Sequence, residues 1–140
     1  MAEPAEDKAA EIERLRTVAA SCRACRLWEK PNAGEIDACR RWLFAEIETL
    51  QPRVIVALGA TAAQSLVGRP VAIGANQGKI IEGADSLRLF VTVHPSSLLR
   101  LPDEAARRAA FDLFVADLRL IGGFTARLSK EPSTVGRGQA

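Results

Sequence analysis

The residue in this chain best placed to do chemistry is its only histidine, His94. The apolar run from Leu87 to Val93 predicts a strand, and His94 follows it directly, at the strand's carboxyl end. Ligands of open α/β sheets bind outside the carboxyl ends of the strands, so this position suits a functional site. Pro95 cannot donate a backbone hydrogen bond, and we expect the chain to leave the sheet there as a loop.

The loop after the histidine combines hydroxyl, apolar and cationic side chains. They follow one another in the order Pro95, Ser96, Ser97, Leu98, Leu99 and Arg100. Hydroxyls and a guanidinium can bind phosphate oxygens, and the leucines can wedge between bases. The residue types therefore predict a DNA-binding loop. The same pattern also fits a histidine that only caps backbone groups, with both leucines packed under the next helix.

Three cysteines form a second candidate site. Cys22 and Cys25 are three positions apart, so one turn can point both sulfurs at one metal, and Cys39 lies 13 intervening residues further on. An iron–sulfur cluster needs four thiolates, or three and another ligand, and structural zinc needs four ligands. Three sulfurs leave either site short of a ligand. Cysteines that are simply small buried residues are the alternative.

Apolar periodicity predicts the elements that position these residues. Helical spacing indicates helices at residues 6–20, from about 33 to 50, and from Asp103 to Gly122-Gly123. Asp103 is the expected N-cap of the last helix. Beyond it, residues 124–140 lack an apolar period and are predicted to form a flexible tail.

The strands are predicted from short apolar runs. Val54–Leu58 is a continuous aliphatic run, typical of a strand buried on both faces, and Thr61 can cap a short helix after it. A shorter strand is expected at Lys79–Ile81, before the histidine strand Leu87–Val93. This order indicates a layered α/β domain with a small, partly parallel sheet. We expect the first and last strands to be parallel neighbours with His94 at their carboxyl edge.

Composition limits the class of protein without identifying it. The 140 residues allow one domain, and 48% apolar residues are enough for a core. Nineteen basic against 17 acidic residues give a net charge of +2, too small to indicate nucleic acid by itself. We expect no membrane span, because no apolar run approaches the roughly 20 residues required. An odd number of cysteines fits the reducing cytoplasm, which is the expected location.

The motif from His94 to Arg100 closely resembles the His-Pro-Ser-Ser-Leu-Leu-Arg loop of the iron–sulfur uracil-DNA glycosylases, the family 4 type, especially their UdgX-type branch. The resemblance extends over residues 21–121, including Cys22 to Leu27 and the helix that carries Cys39. It implies a three-layer uracil-DNA glycosylase-like sheet in a single domain at residues 1–123. It also implies a [4Fe-4S] cluster on Cys22, Cys25 and Cys39, and uracil-containing DNA as the partner. His94 would face the flipped uracil as the catalytic residue.

The resemblance is broken at Lys30-Pro31, where two regions that lie far apart in the family are joined directly. The family's central segment, which supplies further uracil contacts, the third cluster ligand and a covalently attacking histidine, has no counterpart in this chain. We therefore expect a truncated sheet with an open edge suited to self-association, and an incomplete or absent cluster. Uracil excision in base excision repair is the implied function. A non-catalytic DNA-binding remnant and a small thiol metal-binding protein are the alternatives.

Overall fold

The described part of the chain comprises residues 5–23 and 36–129 of a computed structural model. Its contacts divide the chain into two compact units, one ending at Pro52 and the other beginning at Arg53. Cys25 and the Lys30-Pro31 junction lie outside the described residues. Within these two ranges, no helix is both long and apolar enough to cross a membrane.

The first unit contains two long helices, α1 (Ala5–Ala20) and α2 (Ile36–Leu50), in agreement with the two helices predicted from apolar spacing. The helices contact each other, and Leu15 of α1 is buried. The Lys8 ammonium, near the start of α1, donates to the carbonyl of Leu50 at the end of α2, 3.5 Å away. The two helices are therefore antiparallel.

The second unit is built on a three-stranded sheet in the order β1–β3–β2. Its elements, in chain order, are β1 (Ile55–Leu58), α3 (Ala60–Val67), α4 (Ile73–Asn76), β2 (Lys79–Glu82), a 3₁₀ turn (Ala84–Ser86), β3 (Arg88–Thr92), α5 (Pro95–Leu98) and α6 (Glu104–Leu128). β1 and β3 are parallel, and β2 is antiparallel to β3. The prediction of a small, partly parallel sheet is confirmed.

Helices cover both faces of this sheet, which makes three layers. Leu89 lies on the α3 side, because a side chain added at Gly83 would meet both the Leu89 side chain and the Leu66 carbonyl of α3. Thr92 is three positions after Leu89 and therefore lies on the opposite face, where it hydrogen-bonds to Asp117 of α6. β3 lies between the two layers, and its residues 89–92 are all fully buried. The expected three-layer arrangement is confirmed, with β3 at the centre of the core.

The outer strands are less buried than predicted. Val56 of β1 is 37% exposed, so the expectation that this strand is buried on both faces is wrong. Within the described residues β1 pairs only with β3, and the same is true of β2, where Ile80 is 41% exposed. Val56 and Ile80 both pair with Phe90 in register and flank it on the α6 face. The helix α6 covers the centre of that face but leaves apolar side chains on its flanks exposed. Because neither outer strand has a second partner among the described residues, the sheet also has the open edge expected from the sequence.

The last helix is longer than predicted. Asp103 caps it as expected, accepting a hydrogen bond from the Ala106 amide at 2.7 Å. It does not end at Gly122-Gly123 but continues to Leu128, so residues 124–128 are helical and do not belong to a flexible tail. Ile121 and Leu128, seven positions apart, are both buried, and the Arg53 guanidinium donates to the Leu128 carbonyl. These tertiary contacts outweigh the roughly 1 kcal/mol by which each glycine disfavours a helix.

Candidate active site

His94 lies where the sequence places it, two residues beyond the carboxyl end of β3. Leu58 of β1 is paired with Thr92 of β3, so the carboxyl ends of these parallel strands lie side by side. The Gly59 amide after β1 donates to the Thr92 carbonyl at 2.8 Å and ties the two strand ends together. The prediction that His94 marks the carboxyl edge of two parallel neighbours is confirmed.

The segment after His94 is a single helical turn, α5, and not the predicted loop. His94 is its N-cap: Nδ1 accepts a hydrogen bond from the Ser96 amide at 3.1 Å and lies 2.8 Å from the Ser96 hydroxyl. Pro95 occupies the first helical position, where its fixed φ favours a helix and no amide is needed. The capping histidine of the alternative interpretation is therefore present.

Capping assigns different tasks to the two ring nitrogens of His94. A Nδ1 atom that accepts from an amide carries no proton, so the neutral ring holds its proton on Nε2. The His94 side chain is exposed. The turn thus holds the imidazole by one nitrogen and keeps the other as an N–H donor for a ligand.

The two serines are engaged within the turn. The Ser97 hydroxyl donates to the His94 carbonyl at 2.7 Å, and the Ser96 hydroxyl bonds to the His94 ring. A phosphate contact by either hydroxyl, as predicted from the sequence, would compete with these bonds. We interpret the serines first as residues that shape the turn around His94.

The apolar tip of the turn divides into a half-buried and an exposed leucine. Leu98 is half-buried, whereas Leu99 is 80% exposed, so Leu99 does not pack under the next helix as the alternative interpretation required. Arg100, which follows it, is also exposed. A large exposed apolar side chain beside an exposed cation is the combination that a minor-groove wedge needs.

Gly59 is a site residue whose role the sequence did not reveal. Its φ of 86° and ψ of 172° belong to a region that only glycine occupies readily. A Cβ atom there would lie 3.1 Å from the Cβ of His94. Gly59 is the N-cap of α3, so Thr61 lies inside the helix and is not its cap, contrary to the prediction. The turn between β1 and α3 is thus the surface against which His94 is positioned.

Replacing Gly59 by alanine is expected to lower the free energy of unfolding by about 1–3 kcal/mol and to displace His94. The physical causes are the disfavoured backbone conformation and the crowding of the His94 Cβ. Because the chain has one histidine, its imidazole NMR signals report the displacement without ambiguity. Gly74→Ala is the matched control, since a Cβ at Gly74 meets nothing within 4 Å. Unchanged His94 signals in the Gly59 variant would contradict this positioning role.

A polar cluster under the end of β3 was also missed. The Asp117 carboxylate accepts hydrogen bonds from the buried Thr92 hydroxyl at 2.6 Å and from the side-chain amide of Gln77 at 2.9 Å. It thereby joins α6 and the end of α4 to the strand that carries His94. Asp117 follows Phe114 by three positions and precedes Ile121 by four, so helical spacing already placed an acid on the buried face of α6. A charged residue on an otherwise apolar helix face is therefore the sequence feature that indicates this cluster.

The predicted metal ligands are only partly within the described structure. Cys22 and Cys39 belong to the first unit and are half-buried, and Arg41 lies with Nη2 3.2 Å from the Cys22 sulfur. In the described ranges no group of three or more histidine, cysteine or acidic residues is arranged to hold a metal. The chain offers three cysteines in all, one thiolate fewer than the four that commonly hold a [4Fe-4S] cluster.

Comparison with known proteins places this geometry in a family. Residues 9–119 match the model of the uracil DNA glycosylase superfamily. A type-4 uracil-DNA glycosylase of Thermotoga maritima is 40% identical over 83 residues, covering 59% of this chain and 43% of its own length. A second type-4 enzyme, from Pyrobaculum aerophilum, is 35% identical over 79 residues, covering 51% of this chain and 40% of its own.

A type-5 uracil-DNA glycosylase of Pyrobaculum aerophilum is also similar, with 32% identity over 93 residues, 59% of this chain and 41% of the relative. This chain therefore spans less than half the length of each of these three proteins. The superfamily match, in contrast, extends from α1 through most of α6 and includes the whole sheet and the His94 turn. The chain belongs to the uracil-DNA glycosylase superfamily and is similar to its type-4 members.

Proposed function

We propose that this chain recognises uracil in DNA at the His94 turn, as a protein of base excision repair. The observation that carries the proposal is the state of the His94 ring, with Nδ1 held by the Ser96 amide and Nε2–H left as a donor on an exposed side chain. Membership of the superfamily supports uracil as the base. The names of the type-4 relatives support the same substrate.

His94 would act on the charge that develops as uracil leaves. In hydrolysis of the N-glycosidic bond, the bond between the sugar C1′ and uracil N1 breaks, and its electron pair stays with uracil. The sugar gains the oxygen of water, and negative charge accumulates on uracil O2. A donor aimed at that oxygen stabilises the transition state more than the ground state. The Nε2–H of His94 is suited to this task because the turn already fixes the ring by its other nitrogen.

The remaining exposed residues of the turn would hold the DNA. Extruding a base costs a few kcal/mol, and an apolar side chain that enters the vacated stack offsets part of this cost. Leu99, 80% exposed at the tip of the turn, is the candidate wedge. Arg100 is the candidate phosphate contact, because its guanidinium is exposed and follows the wedge directly.

Binding of single-stranded DNA with one uracil, compared with the same strand containing thymine, tests the proposal. We expect His94→Ala to lower affinity for the uracil strand several-fold, the worth of one hydrogen bond to O2, and to leave affinity unchanged for the same strand with an abasic nucleotide in place of the uracil. Arg100→Ala should instead weaken both complexes equally and lower the slope of log K against log salt by about one, because one phosphate contact is lost. Fluorescence anisotropy over a salt series measures both effects.

The control is Arg69→Ala, which removes an equally exposed arginine just beyond the other end of α3 and should leave affinity and salt slope unchanged. Equal affinity of the unaltered protein for uracil and thymine strands would refute uracil recognition. It would favour the second candidate, a DNA-binding protein without a base pocket. The exposure of Leu99 is compatible with this second candidate as well, since a wedge can bind DNA without a pocket.

A further inference from the structure

An apolar groove lies between α5 and the first turns of α6. Its walls are Pro95, Ser96, Leu98 and Leu99 on the side of the His94 turn, and Arg107, Phe111 and Phe114 on α6. We call it the Phe111 groove. Its volume is about 460 Å³, and Phe111 is 53% exposed within it. Within the described residues, about half of the Phe111 ring is therefore accessible to a ligand.

We infer that the Phe111 groove binds an unstacked nucleobase that flanks the uracil in single-stranded DNA. The inference rests on the proposed DNA contact at the His94 turn. Leu98 and Leu99 belong to both the turn and the groove, so a strand held at His94 would lie beside the groove. Aromatic side chains beside a cationic backbone track are the usual means of binding bases in single strands.

The charges around the groove favour a nucleic acid. Arg107 lines it and donates through Nη1 to the Leu101 carbonyl at 3.3 Å. A guanidinium has five N–H donors, so this bond leaves capacity for a phosphate. Arg100 is exposed on the adjoining turn. The carboxylates of Glu104 and Asp112 line a different depression on α6, together with Arg108, and do not face the groove.

The size of the groove favours a base over a second protein molecule. A volume of about 460 Å³ lies in the range typical of small-molecule pockets, roughly 300–1,000 Å³. Seven residues line it, whereas a stable protein–protein interface uses about 20–30 residues on each side. A single planar base fits within a groove of this size, and a second copy of the chain would need much more surface.

The test compares Phe111→Ala with Leu113→Ala in the full chain. Leu113 is a matched control, because it is 61% exposed on the same helix but lies about 200° around it, outside the groove. Affinity for single-stranded DNA, measured by anisotropy, should fall at least about fivefold for Phe111→Ala, the loss of one stacked base. Leu113→Ala should bind as the unaltered protein does, and Phe111→Trp should retain affinity.

An abasic nucleotide placed in turn on each side of the uracil locates the base. At one of the two positions, removing the base should lower the affinity of the unaltered protein as much as Phe111→Ala does. At that position the affinity of the Phe111 variant should not fall further. The inference would be overturned if the affinity losses from base removal and from Phe111→Ala added up at every position. Equal affinities of the Phe111→Ala and Leu113→Ala variants would also overturn it. A Phe111 variant that changes only the mass measured by light scattering would also overturn it and show a contact between copies.

The two proposals fail separately. Loss of the difference between uracil and thymine strands, with the Phe111 effect intact, would refute uracil recognition and leave the groove as a base site. A retained uracil preference without any Phe111 effect would refute the groove alone.

Discussion

Single-stranded DNA carrying one uracil is expected to lose that base at or near the uncatalysed rate when it is incubated with this protein. Excision requires several loops to converge on the extruded base, and the sequence retains only the His94 loop of those that the family resemblance implies. Loss of a single well-placed donor costs about 10²–10³ in rate, so loss of the opposing wall of the pocket should cost far more. No covalent adduct is expected, because the attacking histidine of the UdgX-type branch has no counterpart in this chain.

A labelled oligonucleotide, treated with alkali after incubation and separated on a denaturing gel, measures base loss as strand cleavage. A type-4 uracil-DNA glycosylase serves as the positive control, and denaturing electrophoresis without alkali detects any adduct. Robust release of uracil that disappears on His94→Ala would contradict this prediction. In that case the short chain would be a complete enzyme, and residues outside the His94 turn would have to form the other half of its pocket.

The second large effect concerns the core of the sheet. Phe90→Ala should lower the free energy of unfolding by about 3–5 kcal/mol, because Phe90 is fully buried in the central strand and its removal leaves a cavity that the neighbouring layers cannot fill. This is a large fraction of the roughly 5–15 kcal/mol that stabilises a typical domain. Urea denaturation followed by far-UV circular dichroism measures the change, since both tryptophans, Trp28 and Trp42, lie in the first unit.

Ile80→Ala is the matched control for Phe90. The two residues are cross-strand partners, but Ile80 is 41% exposed, so its truncation removes less buried surface and should cost about 1–2 kcal/mol. A loss at Ile80 as large as that at Phe90 would show that the flank of the α6 face is covered by something other than the described residues. It would contradict an exposed sheet face at β2.

Much of the second unit could be predicted from local sequence signals. The strands Ile55–Leu58 and Arg88–Thr92 form within the predicted runs Val54–Leu58 and Leu87–Val93, since β-branched, aliphatic and aromatic residues favour strands. Asp103 caps its helix because a short carboxylate after a proline-containing turn binds the free amides of the first turn wherever it occurs. His94 lies at the carboxyl edge because it comes just two residues after the end of β3.

In the first unit the helices were predictable, whereas the cysteine site stays a prediction. The positions of α1 and α2 follow from helical spacing, and both are present. The grouping of cysteines into a metal site, in contrast, depends on three ligands meeting in space. Cys25 lies outside the described residues, and Cys22 and Cys39 alone cannot complete such a site. The spacing of cysteines in the sequence identifies candidate metal ligands, but it does not show whether their sulfur atoms lie close together in the folded chain.

What the sequence by itself determined is the set of elements, their order and the residue delivered to the sheet edge. Tertiary structure decided the rest. It decided that α6 continues through two glycines and that Gly59 forms the surface beside His94. The physical reason is the distance along the chain between the interacting residues. Strands and caps arise from a few consecutive residues. The length of α6 and the position of His94 depend instead on contacts with residues such as Arg53 and Gly59, more than 30 positions away in the chain.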